Sequence, residues 1–204
     1  EVVLARCVTG AVRAVERSSV TVVDGIVDAL SPTAVACAGL DGEATGGDLS
    51  LRAATVVGKV HAARIDALDS ILLAARATDG SDTWAAPVVA RRRQSGAVRH
   101  CWVPLDAVTP RRFACLPPPP ERAIGPGPPD GDAVVPRFTS LRYGHPAYGQ
   151  LHDSCPAAIR AGASDGGELG AYHDRHATQS EAALRVRLAE HLRFGLEAGL
   201  FHAS

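Results

Sequence analysis

Between Gly47 and Ala74 the apolar residues fall into short strand words and form no helical stripe. Leu49, Leu51 and Ala53 alternate with Ser50 and Arg52, the period of a half-buried strand, so the two sets are expected on opposite faces. One word recurs. Ala54-Thr55-Val56-Val57 returns as Asp69-Ser70-Ile71-Leu72, and Asp24-Gly25-Ile26-Val27-Asp28-Ala29 precedes both, separated from them by a Gly- and Asp-bearing stretch from Cys37 to Gly47 that reads as one extra-long turn. Too few residues lie between the copies for a crossover helix. The pattern therefore predicts a coil of parallel strands in which each turn buries its neighbour's inner face. The expected fold class is mainly β, a right-handed parallel β-helix forming a short solenoid. An ordinary β-sandwich competes with it, since its short strands also alternate.

Strand words continue through Ala86-Pro87-Val88-Val89-Ala90 and Ala97-Val98-Arg99-His100-Cys101-Trp102-Val103, with a turn at Gln94-Ser95-Gly96. The solenoid is placed at residues 1–116. Residues 117–136, opening on Pro117 to Pro120, form a proline- and glycine-rich linker, because these residues join neither a sheet ladder nor a helix interior. Residues 137–204 form a C-terminal segment of loops and a helix. That helix is expected to begin at the capping-box pattern Thr178-x-x-Glu181 and to carry Leu184, Leu188, His191, Leu192 and Leu196 as an apolar stripe, with Glu181 and Arg185 paired beside it. Gly195 and Gly199 weaken its last turns, and Leu200 and Phe201 lie beyond. The stripe needs a surface to pack on. Leu184, Leu188, Leu192, Leu196 and Phe201 are accordingly the expected partner-docking residues.

Composition narrows the options. Of 204 residues 46% are hydrophobic but only 4% aromatic, so Ala and Val carry the core, which suits a narrow interior better than a deep aromatic pocket. The formal charge of −1 gives no global field for nucleic acid or anionic lipid, and Arg91, Arg92 and Arg93 read as a charged strand edge. No apolar run approaches the roughly 20 residues of a membrane span. Glu1-Val2-Val3-Leu4 lacks the basic start of a signal peptide, and the absence of Met suggests a fragment or processed chain. Lys59 is the only lysine, a composition typical of a GC-rich bacterial gene. Trp84 and Trp102 are expected to plug the coil or cover its side. Cys7, Cys37, Cys101, Cys115 and Cys155 are odd in number and lack a C-x-x-C pair, so free thiols are the expectation, with a Cys101–Cys115 bridge open if adjacent turns bring the two together.

Several words carry a resemblance: Thr55-Val56-Val57-Gly58-Lys59-Val60, the stretch from Ala86 to Gln94, Thr109-Pro110-Arg111-Arg112-Phe113, Arg137-Phe138-Thr139-Ser140-Leu141-Arg142-Tyr143-Gly144, and Leu192 to Phe201. Over roughly Asp24 to the end, the chain resembles a family of uncharacterised bacterial proteins associated with phage-tail-like and contractile-injection gene clusters. Where its members read Gly-Ala-Phe-His, this chain has Gly170-Ala171-Tyr172-His173. The resemblance implies a β-helical, particle-associated structural protein and assigns no chemistry to particular residues.

Candidate chemistry is sparse. His145, His152, Asp153, Cys155, His173 and His176 are the densest potential ligands, but His173-x-x-His176 lacks the glutamate of H-E-x-x-H and no paired cysteines accompany it. A Cys155–His173 nucleophile pair is a second possibility on paper. A third is a carbohydrate-binding or carbohydrate-cleaving solenoid face built from Asp24, Asp28, Asp66, Asp69, Arg52 and Arg64, although Asp66 and Asp69 also suit turns between strands. The sequence thus points to a non-enzymatic structural or adaptor protein that partners proteins and itself, without cofactor, metal or nucleic acid. Its expected setting is cytoplasmic assembly, with later release or envelope association of the particle.

Overall fold

A computed structural model describes residues 1–78, 82–118, 134–175, 177–193 and 195–198. Its strands are β1 (Val2–Ala5), β2 (Val8–Thr9), β3 (Val12–Arg13), β4 (Ser19–Val23), β5 (Ile26–Asp28), β6 (Val35–Ala38), β7 (Gly46–Arg52), β8 (Thr55–Val57), β9 (Lys59–Leu68), β10 (Ile71–Leu73), β11 (Val88–Ala90), β12 (Val98–Arg99) and β13 (Arg112–Phe113). The helices are α1 (Ala157–Arg160) and α2 (Ala177–His191), with a 3-10 turn at His173–Arg175. The protein is mainly β, with parallel sheets and few helices, an arrangement compatible with a solenoid.

The first passes, β1-β2-β3 and β4-β5-β6, each add two strands to the larger of two sheets and one to the smaller. The larger sheet runs β1-β4-β7-β9-β12-β13, with β3, β6 and β11 joining around the long β9; the smaller runs β10-β8-β5-β2. Every strand pair is parallel. Isolated parallel bridges from Ile71 to Trp102 and from Trp102 to Leu116 prolong the smaller sheet. Parallel strands this closely spaced stay in register because a one-residue slip would turn the buried set outward. Val20, Leu49 and Ile65 therefore stack in the interior, as do Val22, Leu51 and Ala67, while Val27, Val56 and Leu72 stack from the other side.

The register corrects the repeat by one residue. Val56 pairs with Leu72 and Thr55 with Ile71, where the sequence words had matched Val56 to Ile71. The physical marker of the repeat is the corner before each word: Arg6, Asp24, Ala53, Asp69, His100 and Ala114 all hold φ between 45° and 51°, in the left-handed region. The corners remain in the ladder, with Asp24 N–H donating to Arg52 O at 3.1 Å and Ala53 N–H to Leu68 O at 3.0 Å. Aligning corners gives the register; aligning apolar letters does not, because Ile71 faces outward. Cys37 is likewise a strand residue of β6, so the loop expected from Cys37 to Gly47 is shorter at both ends.

Residues 134–175 lie over the outer side of the smaller sheet. Cys155, Ile159, Ala163 and Leu169 form a second core with Ile71 and Trp102, joined by Phe138 and Leu151. Trp102 neither plugs the coil nor covers it: it bridges Ile71 and Leu116 in the smaller sheet and is itself covered, and its indole N–H donates to Val134 O at 2.6 Å. Trp84 packs edge-on to His61, with the Lys59 ammonium 5.4 Å from its ring centre. The proline-rich segment lies outside the described residues from 119 to 133.

Candidate functional site

The docking residues expected from sequence are centred on α2. Leu184 is 45% exposed and Val186 58%; Leu188 and Leu192 are half-buried. No described α2 side chain from Ala183 to His191 is buried. The helix begins at Ala177 and stops at His191, so Leu192 and Leu196 lie past its end, a correction to the longer stripe. Leu192 still donates its N–H to Leu188 O at 3.0 Å, and Gly195 then takes φ of 85°, a conformation that closes helix ends readily in glycine. Beyond it Leu196 is 61% exposed. Leu188, Leu192 and Leu196 line an open groove of about 730 Å³ together with Arg185, Arg193 and Glu197. Gly199, Leu200 and Phe201 lie outside the described residues, as does His176.

The residues proposed for glycan chemistry do not gather in one place. Asp24 sits at a corner, 3.8 Å from Arg6. Asp28 and Asp69 are buried beneath residues 134–175: Asp28 accepts from Leu30 N–H at 2.7 Å and from the Tyr148 hydroxyl, and Asp69 accepts from Ser164 N–H at 2.6 Å and Ser164 Oγ at 2.7 Å. Burial, then the neighbouring Asp28 carboxylate, raise the Tyr148 pKa and keep its hydroxyl a donor. These two carboxylates are clasps for the covering segment. Arg52 is exposed at the end of β7. It shares the outer face of the larger sheet with Arg64 and Asp66, which are hydrogen-bonded to each other at 3.1 Å, with Arg99 3.7 Å from Asp66.

The potential metal ligands disperse too. Among the described residues no group of three or more His, Cys, Asp or Glu is placed to hold a metal ion. His145 accepts from Ala147 N–H, His152 meets Ser154, and His173 donates through Nδ1 to Glu168 O at 2.9 Å while its Nε2 lies 3.2 Å from Asp165. Burial alone would lower the His173 pKa, but the Glu168 carbonyl and the Asp165, Asp69 and Asp174 carboxylates together raise it. Cys155 is buried, which raises its pKa, and its sulfur accepts from Arg137 N–H, so the structure does not join it to His173. All five cysteines are free. Cys101 and Cys115 do stand on adjacent passes, but both are buried inert thiols, and burial pushes the Cys37 thiol up to about 12.

Around Arg64 and Asp66, already candidates for a glycan-binding face, the structure gathers four residues the sequence reading did not name: on the outer face of β4, β7 and β9, Ser19, Asp48 and Arg64 stand in one row and Thr21, Ser50 and Asp66 in the next. The signal was present in the polar members of three alternating words, Ser19-x-Thr21, Asp48-x-Ser50 and Arg64-x-Asp66. What was missing was the register that stacks them. Comparison of the chain with protein-family models, curated proteins and solved structures found no match.

Proposed function

We propose that this protein is a non-enzymatic structural or adaptor module, a short right-handed parallel β-helix that joins a larger assembly through its strand edges and its C-terminal helix. The observation that carries this reading is α2 and the turn after it: Leu184 and Leu188 on the helix and Leu192 just past its end are neither buried nor packed into the core, and Leu196 stands exposed beyond them. Leucines that no core takes up, on the helix and just past it, are available to a partner. The outer edges of β1 and β2 add to it, since they carry no partner strand among the described residues and Val2, Val3 and Val8 are 49%, 60% and 44% exposed. The solenoid reading is supported by the parallel register and by corners repeated on every pass. The resemblance over Asp24 onward supports a phage-tail-like or contractile-injection particle, assembled in the cytoplasm from protein partners and copies of this chain. No helix is long and apolar enough to cross a membrane among the described residues.

Density-gradient sedimentation of a gentle lysate of the native host tests this reading directly. Co-migration with a large particle is the expected result, and the double substitution Leu188→Asp, Leu192→Asp is expected to move the chain to the top of the gradient while it stays folded. An unchanged position for the double variant would overturn the docking role of the helix.

A further inference from the structure

We propose that the outer face of β4, β7 and β9 is a binding site for a neutral, polyhydroxylated ligand, a short oligosaccharide. This goes beyond assembly and rests on a different face of the molecule. Six outward side chains, Ser19, Thr21, Asp48, Ser50, Arg64 and Asp66, form a grid of two rows and three strands around a groove of about 200 Å³. Strand spacing and the two-residue repeat give the grid dimensions of about 7 by 10 Å, the size of one or two sugar rings.

The grid does not satisfy itself. Arg64 reaches Asp66 with one Nη, but its Nε is shielded from solvent and makes no hydrogen bond; Asp48 Oδ1 is likewise shielded and unbonded, with Arg92 3.7 Å away, beyond hydrogen-bonding reach. Among the described residues the Ser19, Thr21 and Ser50 hydroxyls have no hydrogen-bonding partner. Arg64 Nε and Asp48 Oδ1 mark a network left incomplete, and the half-exposed Ser19, Thr21 and Ser50 hydroxyls beside them are the groups to which a ligand supplies hydrogen-bonding partners. Carboxylates that accept, a guanidinium that donates and hydroxyls that do both are the complement of vicinal sugar hydroxyls. Charge selects against other ligands. Asp48 and Asp66 alternate with Arg64, and Arg92 and Arg99 stand at the rim, so the face has no single sign to attract a polyanion or a metal ion. No aromatic residue lines the groove, so the ligand is held by hydrogen bonds and binding is modest, with Kd on the order of 0.1–1 mM.

Titration of the full chain with cellotetraose, maltotetraose and chitotetraose, followed by calorimetry and saturation-transfer NMR, tests the proposal. Saturable binding of at least one is expected, weakened about tenfold or more by Asp66→Ala and by Ser50→Ile, which fills the groove with a residue suited to a strand. Arg142→Ala, on the covering segment, is expected to leave it unchanged. Circular dichroism establishes that each variant folds, and Asp66→Ala alone suffices if Ser50→Ile does not. Failure of all three sugars to bind overturns the site, as does binding that survives the substitutions; binding of polygalacturonate in their place overturns its neutral character.

Discussion

The two sheets share an interior and differ on their outer faces. Inward, Val22, Leu51 and Ala67 of the larger sheet match Val27, Val56 and Leu72 of the smaller in character and burial. Outward, the larger sheet presents half-buried Thr21, Ser50 and Asp66, whereas the smaller presents buried Ile26, Thr55, Ile71 and Trp102 beneath residues 134–175. Even polar groups on the covered face are tied down: Thr55 Oγ1 accepts from Ala171 N–H at 3.1 Å, Asp28 from Tyr148 and Asp69 from Ser164. Stacking parallel passes constrains the inside of the coil and leaves each outer face free to be spent differently, one on holding the chain's own tail and one on the solvent side.

The sharpest way to break this comparison is to remove the largest side chain on the covered face. Trp102→Ala opens a cavity between sheet and cover and deletes the bond to Val134, and about 3–5 kcal/mol of stability should be lost in urea unfolding. A loss below about 1 kcal/mol would mean that the cover contributes little and that the two faces are energetically alike. Tyr148→Phe is the next test. It strips the Asp28 carboxylate of its one tertiary donor among the described residues while Leu30 N–H remains, and about 1–3 kcal/mol is expected by the same measurement.

The sequence was most legible where chemistry and geometry coincide. Alternation at Leu49, Ser50, Leu51 and Arg52 set the inner and outer faces correctly, because a residue's side of a strand depends only on its parity. Parallel pairing was legible from the spacing of strand words. Register was not, since Ile71 is as apolar as an interior residue but faces a cover that comes from far along the chain, Cys155 to Leu169. The cover itself read as loops: α1 has only four residues and the segment carries little periodic pattern to announce a packed surface. The C-terminal helix was legible in existence and, within a residue, in its start, less so in its end, where Gly195 turns the chain after α2 has stopped at His191. Of the polar grid only Arg64 and Asp66 were legible, because its other members, Ser19, Thr21, Asp48 and Ser50, come from two further words that only the register brings alongside.

Glu168 sharpens the comparison through pH. It lies buried in the covering segment, and burial raises its pKa despite the nearby Arg160, Arg175 and His173. A carboxyl whose folded pKa is raised binds its proton more tightly in the native state, so its contribution to stability is fully present below the unfolded pKa and is lost as pH rises through the folded one. Glu168→Gln removes that loss. The variant should match the parent near pH 3 and exceed it in thermal midpoint at pH 7, the gap opening across the carboxylate range; a gap that is constant with pH would show that Glu168 does not titrate against burial.

The smallest effect is expected on the open face, and it is the one that tests whether that face is structural at all. Ser50 sits at the centre of the polar grid, between Thr21 and Asp66 in register. Its neighbours in the strand, Leu49 and Leu51, carry the inward packing, and among the described residues no hydrogen bond to its hydroxyl is lost on truncation. Ser50→Ala should therefore change stability by no more than about 0.5 kcal/mol. A residue in the middle of the largest sheet whose side chain is dispensable to the fold is available for selection on other grounds. If instead the substitution costs more than about 1 kcal/mol in urea unfolding, the outer grid is a stabilising network of the solenoid, and the contrast between a face used for holding the chain together and a face left for ligands disappears.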